Sequence, residues 1–219
     1  MSSVLDGAVD DASSDSVFAK RRGRIVETAV RLFTERAYAD VHMDAVAAAA
    51  GVAKPTLYRY FATKEALFIE ALECALEEVR HEVHLLRTGV GLVEDRLRRV
   101  VTCVLDRVGR LTPAIRAVES QSSDLGERSR IALRNGFSAL KDEIAALLVE
   151  GAEAGVFSCF DVEVAALVVL GGVRMAAHFN TGQGDVADAV TNLLLNGLRD
   201  PRNGPSPTLD YSSDLGALA

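Results

Sequence analysis

Apolar residues recur at helical spacing along almost the whole chain, and the sequence contains no credible pair of strands. Ile25, Ala29, Leu32 and Phe33 follow the i, i+4, i+7, i+8 pattern that places them on one stripe of a helix. The same period, interrupted at glycines and prolines, predicts helices at about residues 19–37, 43–50, 54–61, 63–86, 92–110, 113–122, 127–154, 161–180 and 185–199. The predicted fold class is therefore all-α.

Both ends of the chain lack this pattern. The first 17 residues are rich in Ser and Asp, and a segment of this composition cannot bury enough apolar surface to fold by itself. The segment from Asp200 onward contains three of the five prolines together with Gly and Ser. We therefore predict disordered tails at residues 1–17 and 200–219.

The stretch from Met43 to Phe61 contains two short predicted helices joined by a turn at Gly51, which is the pattern of a helix-turn-helix. Leu57 and Phe61, four residues apart, would anchor the second of these helices to the core. Its remaining side chains would then lie on the sides and the outer face. The major groove of DNA is wide enough to admit such a helix.

The side chains around this helix suit contacts with DNA. Thr56 offers a methyl group to thymine, and the hydroxyls of Tyr58 and Tyr60 can bind phosphate. Lys64 begins the next helix, and the run KRRGR at 20–24 would form a basic arm before the first helix. The predicted DNA-binding residues are Arg24, Lys54, Pro55, Thr56, Tyr58, Arg59, Tyr60 and Lys64. The alternative is that the two tyrosines are ordinary surface or core aromatics and that the basic run is a solvated tail.

The distribution of charge supports a DNA-binding segment although the whole chain has a net charge of −7. Residues 18–64 carry nine basic and four acidic side chains, whereas residues 65–219 carry 15 basic and 23 acidic ones. One basic segment on an acidic body is expected when only that segment meets a polyanion.

The stretch from Tyr38 to Leu67 closely resembles the DNA-binding domain of the TetR family of transcriptional regulators. The shared pattern includes AGV at 50–52, KPTLY at 54–58, an aromatic pair at 60–61 and KE at 64–65. The resemblance covers about residues 20–70, and the rest of the chain matches only in length, helical content and order. Ala53 departs from the pattern where the family has a Ser N-cap, a loss of about 0.5–2 kcal/mol. His42 and Met43 replace two threonines, so a threonine contact to phosphate is not expected there.

The resemblance implies a helix-turn-helix DNA-binding domain at 18–64 and a helical effector-binding and dimerisation domain at 65–199. It implies a homodimer that represses transcription from a palindromic double-stranded DNA operator and is released by an unknown small-molecule effector. Polar residues within apolar helical segments are the candidates for holding that effector: Arg116, Glu119, Asn135, Arg174 and His178. Alternatively, each of these residues forms a structural ion pair or faces solvent.

The last two predicted helices would form the dimer interface. Residues 162–179 are strongly apolar with small residues that allow close approach, and 185–198 carry apolar residues at helical spacing. Two such helices from each subunit make a four-helix interface, as in the family. The alternative is that both helices belong to the core of a single subunit. Likewise, control by a protein partner or constitutive DNA binding stays open beside control by an effector.

Other chemistry is not indicated by the sequence. Cys74, Cys103 and Cys159 are far apart and are predicted to be reduced thiols, and His81 with His84 lacks a third metal ligand. We expect no metal, no cofactor and no enzymatic activity, because nucleotide loops and nucleophile motifs are missing. A signal peptide and an apolar run long enough to span a bilayer are also missing, so we expect a cytoplasmic protein without a membrane partner.

Overall fold

The computed structural model describes residues 7–120, 125–158, 161–179 and 186–198, and most of them are helical. The helices are α1 (Gly7–Glu35), α2 (Met43–Ala49), α3 (Lys54–Tyr60), α4 (Lys64–Thr88), α5 (Val93–Arg110), α6 (Thr112–Glu119), α7 (Glu127–Glu153), α8 (Val162–Phe179) and α9 (Val186–Leu198). A short 3-10 turn at Tyr38–Asp40 follows α1. The predicted all-α fold is confirmed. The C-terminal tail and Cys159 lie outside the described residues.

The first helix begins at Gly7, well before the expected start near Ala19. Residues 7–17, predicted to be disordered, therefore belong to this helix. The helix starts earlier than the composition indicated, because an existing helix extends without a new nucleation cost. The basic run at 20–24 consequently lies within α1 and is not an arm preceding it.

The ends of α2, α3 and α4 follow the local signals. Gly51 has φ +65°, the left-handed conformation expected after the end of α2. The Oγ1 of Thr63 accepts a hydrogen bond from the backbone N–H of Ala66 at 3.0 Å and so caps α4. Ala53 is the N-cap residue of α3, and its side chain forms no capping hydrogen bond because a methyl group cannot accept one.

The first three helices and the start of α4 share one small core. Ile25 of α1, Leu57 of α3 and Phe68 of α4 are almost completely buried there. The rings of Phe33 and Phe68 meet edge to face, with their centroids 5.0 Å apart. This packing joins α1 to the long α4, which continues into the rest of the molecule.

The C-terminal body is built around the contact between α4 and α7. Gly136 of α7 lies so close to α4 that a Cβ there would be 2.9 Å from the Cβ of Leu76. On the same pair of helices the Glu143 carboxylate binds Arg80 at 3.0 Å, His84 at 3.1 Å and Arg87 at 2.8 Å. Helices α5 and α8 pack against this pair, and α9 packs against α5 and α8.

Helix α8 exposes much of its apolar surface. It has 18 residues with a mean hydropathy of 1.6, long and apolar enough to cross a membrane by length and composition alone. The expectation that no apolar run approaches that length is therefore wrong. Val164, Leu167, Val168, Met175 and Phe179 are exposed on this helix, and a helix face meant to pack against another helix has the same composition.

Candidate DNA interface and effector cleft

The short helix α3 presents most of the predicted DNA-binding side chains to solvent. Leu57 points inward and is fully buried, which fixes the orientation of the helix. Lys54, Pro55, Tyr58 and Arg59 are exposed, whereas Thr56 and Tyr60 are half-buried. This face has the dimensions and the polar groups that a major-groove contact requires.

Lys54 has an intramolecular partner that the sequence did not indicate. Its Nζ lies 2.8 Å from the Oδ1 of Asp44 in the first turn of α2. The hydrogen bond and the attraction to this carboxylate raise the pKa of Lys54. A phosphate group would therefore have to compete with Asp44 for this ammonium group.

Tyr60 packs toward α1 more than the helical pattern implied. Its ring stacks on that of Phe18, with centroids 4.3 Å apart, and the Arg59 guanidinium lies 6.0 Å from the Tyr60 centroid. The prediction that Tyr60 lies on the sides or outer face of α3 is therefore only partly correct, because one side of its ring is covered by Phe18. Phe18 belongs to the part of α1 close to the residues predicted to be disordered, which is why pattern analysis missed this contact.

The basic residues of the run at 20–24 divide into two kinds. Lys20, Arg21 and Arg24 are exposed, while Arg22 forms an ion pair with Glu70 of α4 and lies 5.3 Å from the centroid of the Phe61 ring. Burial raises the pKa of Glu70, and the attraction of Arg22 only partly opposes that effect. Arg22 thus ties α1 to α4, and the other three form the basic face of α1.

Lys64 is half-buried at the start of α4. Its Nζ lies 4.2 Å from the centroid of the Tyr38 ring and donates a hydrogen bond to the carbonyl of Ala39 at 3.3 Å. These contacts hold the ammonium group close to the N-terminus of α4, where an anion is favoured.

A cleft of about 810 Å³ lies in the C-terminal body among α6, α7 and α8. Its described lining consists of Val118, Glu119, Arg130, Leu133, Arg134, Phe137, Ser138, Lys141, Glu163, Leu167, Leu170, Gly171 and Arg174. Glu119 and Arg174, two of the predicted effector residues, form an ion pair in this cleft. The Arg174 guanidinium also lies 5.0 Å from the centroid of the Phe137 ring.

A second, smaller cavity of about 190 Å³ adjoins the same ion pair. Glu119, Arg174 and His178 contribute to its lining, and the Nε2 of His178 lies 3.4 Å from a guanidinium nitrogen of Arg116. The structure therefore brings four of the five predicted effector residues together. Asn135 is exposed on α7 and does not line either cavity within the described residues.

The α7 side of the cleft was not predicted from the sequence. Arg130, Arg134, Phe137 and Lys141 lie at helical spacing, so that they share one face of α7. This mixed basic and aromatic stripe was a usable signal, but it resembles an ordinary solvated helix face. Lys141 forms an ion pair with Glu163 of α8 and lies 2.9 Å from Asp142, and hydrogen bonds to these two carboxylates raise its pKa.

The remaining titratable candidates are a histidine with a carboxylate partner and the cysteines of the described residues. His84 binds the carboxylate of Glu143, and among the described residues no group of three or more potential ligands is suited to a metal. Cys74 and Cys103 are free thiols. Burial raises the pKa of Cys103 to about 11, and it also raises that of Cys74.

Two family models match the chain. Residues 25–71 match the model for bacterial regulatory proteins of the tetR family, and residues 91–198 match the tetracyclin repressor-like C-terminal domain. An uncharacterized HTH-type transcriptional regulator of Mycobacterium tuberculosis is 34% identical over 110 residues, which are 48% of this chain and 54% of that protein. The chain therefore spans about half the length of this curated relative.

Two further comparisons concern a named regulator and a solved structure. The HTH-type transcriptional activator FasR of Mycolicibacterium smegmatis is 28% identical over 143 residues, which are 65% of this chain and 58% of that protein. The crystal structure of AibR in complex with isovaleryl coenzyme A and operator DNA is 22% identical with a TM-score of 0.60, covering 80% of this chain and 98% of that one. At this identity the likeness to AibR concerns the fold.

Proposed function

This chain belongs to the tetR family of bacterial regulatory proteins, and we propose that it is a repressor that a small-molecule effector releases from a palindromic DNA operator. Its proposed parts are the helix-turn-helix domain at 18–64 and the effector-binding and dimerisation domain at 65–199. We expect no enzymatic activity. As a regulator of transcription it would act in the cytoplasm.

The observation that carries the DNA-binding proposal is the exposed side of α3 next to the basic face of α1. Thr56 and Tyr58 of α3 are available for base and phosphate contacts, and Lys64 adds a positive charge at the start of α4. Contacts with phosphate position such a helix, while contacts with base edges determine the sequence that is bound.

The exposed apolar face of α8 supports assembly into a homodimer. Val164 and Val168 of α8 and Leu193 of α9 are all more than half exposed in the single chain. Packing α8 and α9 against their copies in a second subunit would cover this surface with a four-helix interface. The two α3 helices would then reach successive major grooves of a palindromic site.

The cleft among α6, α7 and α8 supports control by an effector. Its volume of about 810 Å³ lies within the range of small-molecule sites. AibR, which shares the fold, has been solved with isovaleryl coenzyme A and operator DNA bound. An effector releases DNA only if it binds the non-binding arrangement of the dimer more tightly, and α4 connects the two parts that must change together.

The proposal is tested by fluorescence anisotropy with the intergenic DNA upstream of the protein's own gene and random DNA as competitor. Thr56→Ala should lower the ratio of specific to random binding by about tenfold, because it removes a base contact. Lys64→Ala should weaken binding to all DNA and reduce the salt slope by about one. Arg110→Ala, an exposed change at the end of α5, is the matched control and should alter neither.

Equal weakening of specific and random binding by Thr56→Ala would reject its role as a base reader. An unchanged salt slope for Lys64→Ala would reject its contact with phosphate. If the protein binds no intergenic region of the genome more tightly than random DNA, the regulator function itself is refuted. A reporter gene placed behind the operator distinguishes repression from the activation named for FasR.

A further inference from the structure

The cleft among α6, α7 and α8 combines an apolar floor with a predominantly basic set of polar groups. Apolar side chains come from all three helices: Val118, Leu133, Phe137, Leu167 and Leu170. The charged residues of the described lining are four basic ones (Arg130, Arg134, Lys141 and Arg174) and two acidic ones (Glu119 and Glu163). An occupant of this cleft must therefore match both an apolar surface and an excess of positive charge.

The acidic lining residues are already paired within the cleft. Glu119 forms an ion pair with Arg174, and Glu163 forms one with Lys141. Each of these pairs joins α8 to a neighbouring helix and leaves little net charge. The excess of positive charge therefore resides on Arg130 and Arg134.

Arg130 and Arg134 lie one turn apart on α7, so their guanidinium groups can act together on one anion. Both contact the carboxylate of Glu127, at 3.5 and 3.3 Å. Glu127 lies outside the described cleft lining. All three side chains are well exposed: 63% for Glu127, 48% for Arg130 and 69% for Arg134. A single solvated carboxylate shared by two arginines is a weak partner that a ligand anion can replace.

We propose that the effector is an amphipathic anion whose apolar chain lies on the floor of this cleft and whose negative group binds Arg130 and Arg134 in place of Glu127. Guanidinium groups bind both carboxylates and phosphates in a bidentate manner, so either head group satisfies this chemistry. The inference rests on the proposed function, because it names the chemical class of the effector at the proposed effector site.

The test measures, by calorimetry, the binding of three probes with the same alkyl chain: dodecyl phosphate, dodecanoate and dodecanol. The two anions are kept below their micelle concentrations, and dodecanol is kept below its solubility limit. The full-length protein should bind at least one of the two anions tenfold or more tightly than dodecanol. Preference for dodecyl phosphate or for dodecanoate identifies the head group. The double substitution Arg130→Gln with Arg134→Gln should lower the affinity for the preferred anion tenfold or more and leave that for dodecanol unchanged.

The matched control is Arg128→Gln, since Arg128 is exposed on the same helix but is not part of the described lining. It should bind all three probes as the unsubstituted protein does. Equal affinity for the three probes, failure of all three to bind, or equal loss in the control and the double variant would each overturn the inference. Thermal unfolding of every variant verifies that the fold is retained.

Operator binding by the same samples separates the two proposals. If the protein binds its operator specifically but none of the anions, the inference fails and DNA binding stands. If an anion binds through Arg130 and Arg134 but does not weaken operator binding, the anion-binding site is supported. In that case the anion is not the effector, and the proposal that it releases the protein from DNA is refuted.

Discussion

The helix-turn-helix and the effector cleft differ in how far apart their residues lie in the sequence. The side chains proposed to face DNA, on α3 and at the start of α4, come from residues 54–64, and one buried residue, Leu57, orients α3. The cleft draws its lining from α6, α7 and α8, which extend from residue 112 to residue 179. The first site is a local motif, whereas the second exists only after distant helices have packed.

This difference explains why the two regions respond differently to change. A local motif keeps its geometry as long as its own small core is intact. The cleft depends instead on how α6, α7 and α8 pack against one another, and α7 in turn packs against α4. The C-terminal body should therefore be the more sensitive part to substitutions that move helices apart.

The largest effect is expected from Gly136→Ala at the contact between α4 and α7. The new Cβ would lie 2.4 Å from the Cδ1 and 2.9 Å from the Cβ of the buried Leu76. The Cβ of Leu76 cannot move without its backbone, so the two helices must separate. We expect a net loss of about 1–3 kcal/mol in the free energy of unfolding, although alanine is the better helix former.

Gly23→Ala is the matched change in the N-terminal region. Gly23 is exposed within α1, and a Cβ there would meet no atom within 4 Å. Without a clash, the helix propensity of alanine should raise the stability by about 0.5–1 kcal/mol. Urea denaturation of both variants measures the contrast, and a destabilised Gly23→Ala or a stabilised Gly136→Ala would contradict it.

A smaller effect is expected at Glu143, which joins α7 to the helix leading from the DNA-binding region. Burial alone would raise the pKa of Glu143, but the hydrogen bonds and charges of Arg87 and His84 outweigh it, so the pKa is lowered. A carboxyl group with a lowered folded pKa stabilises the protein above its unfolded pKa, about 4.5, and this stabilisation disappears as the pH falls through the folded value.

Glu143→Gln should therefore destabilise the protein by about 1–2 kcal/mol at pH 7. The difference from the unsubstituted protein should shrink as the pH falls below 4.5. Glu153→Gln, an exposed change on the same helix, is the control. Unfolding curves at pH 7, 5 and 3.5 check the prediction, and a difference that is independent of pH would show that the charge of Glu143 does not stabilise the contact.

The same contrast decides how much the sequence could predict. The nine helices of the described residues and the position of α3 followed from periodicity, the glycine at 51 and the TetR-like motif, because these signals are local. The contacts of Lys54 with Asp44 and of Tyr60 with Phe18 were not predictable, since each depends on the angle between two helices. In the cleft the paired residues Glu119 and Arg174 were found, but Asn135 was not distinguishable from them by spacing.

The smallest effect is expected from Asp44→Asn, which tests whether intramolecular pairing restrains the DNA interface. The change releases Lys54, whose Nζ lies 2.8 Å from the Asp44 carboxylate, and removes a negative charge beside the DNA. Affinity for specific and random DNA should rise together by less than about tenfold, since both groups are largely exposed. The increase should be largest at low salt, where phosphate contacts are strongest.

Asp106→Asn is the control for this change, because Asp106 forms a similar exposed ion pair with Arg110 on α5, outside the DNA-binding region. Anisotropy titrations at two salt concentrations give the affinities, and urea denaturation verifies that both variants are folded. If Asp44→Asn binds DNA no better than Asp106→Asn does, Lys54 does not reach phosphate. The basic face of α1 and Lys64 must then supply the charge that holds α3 in the groove.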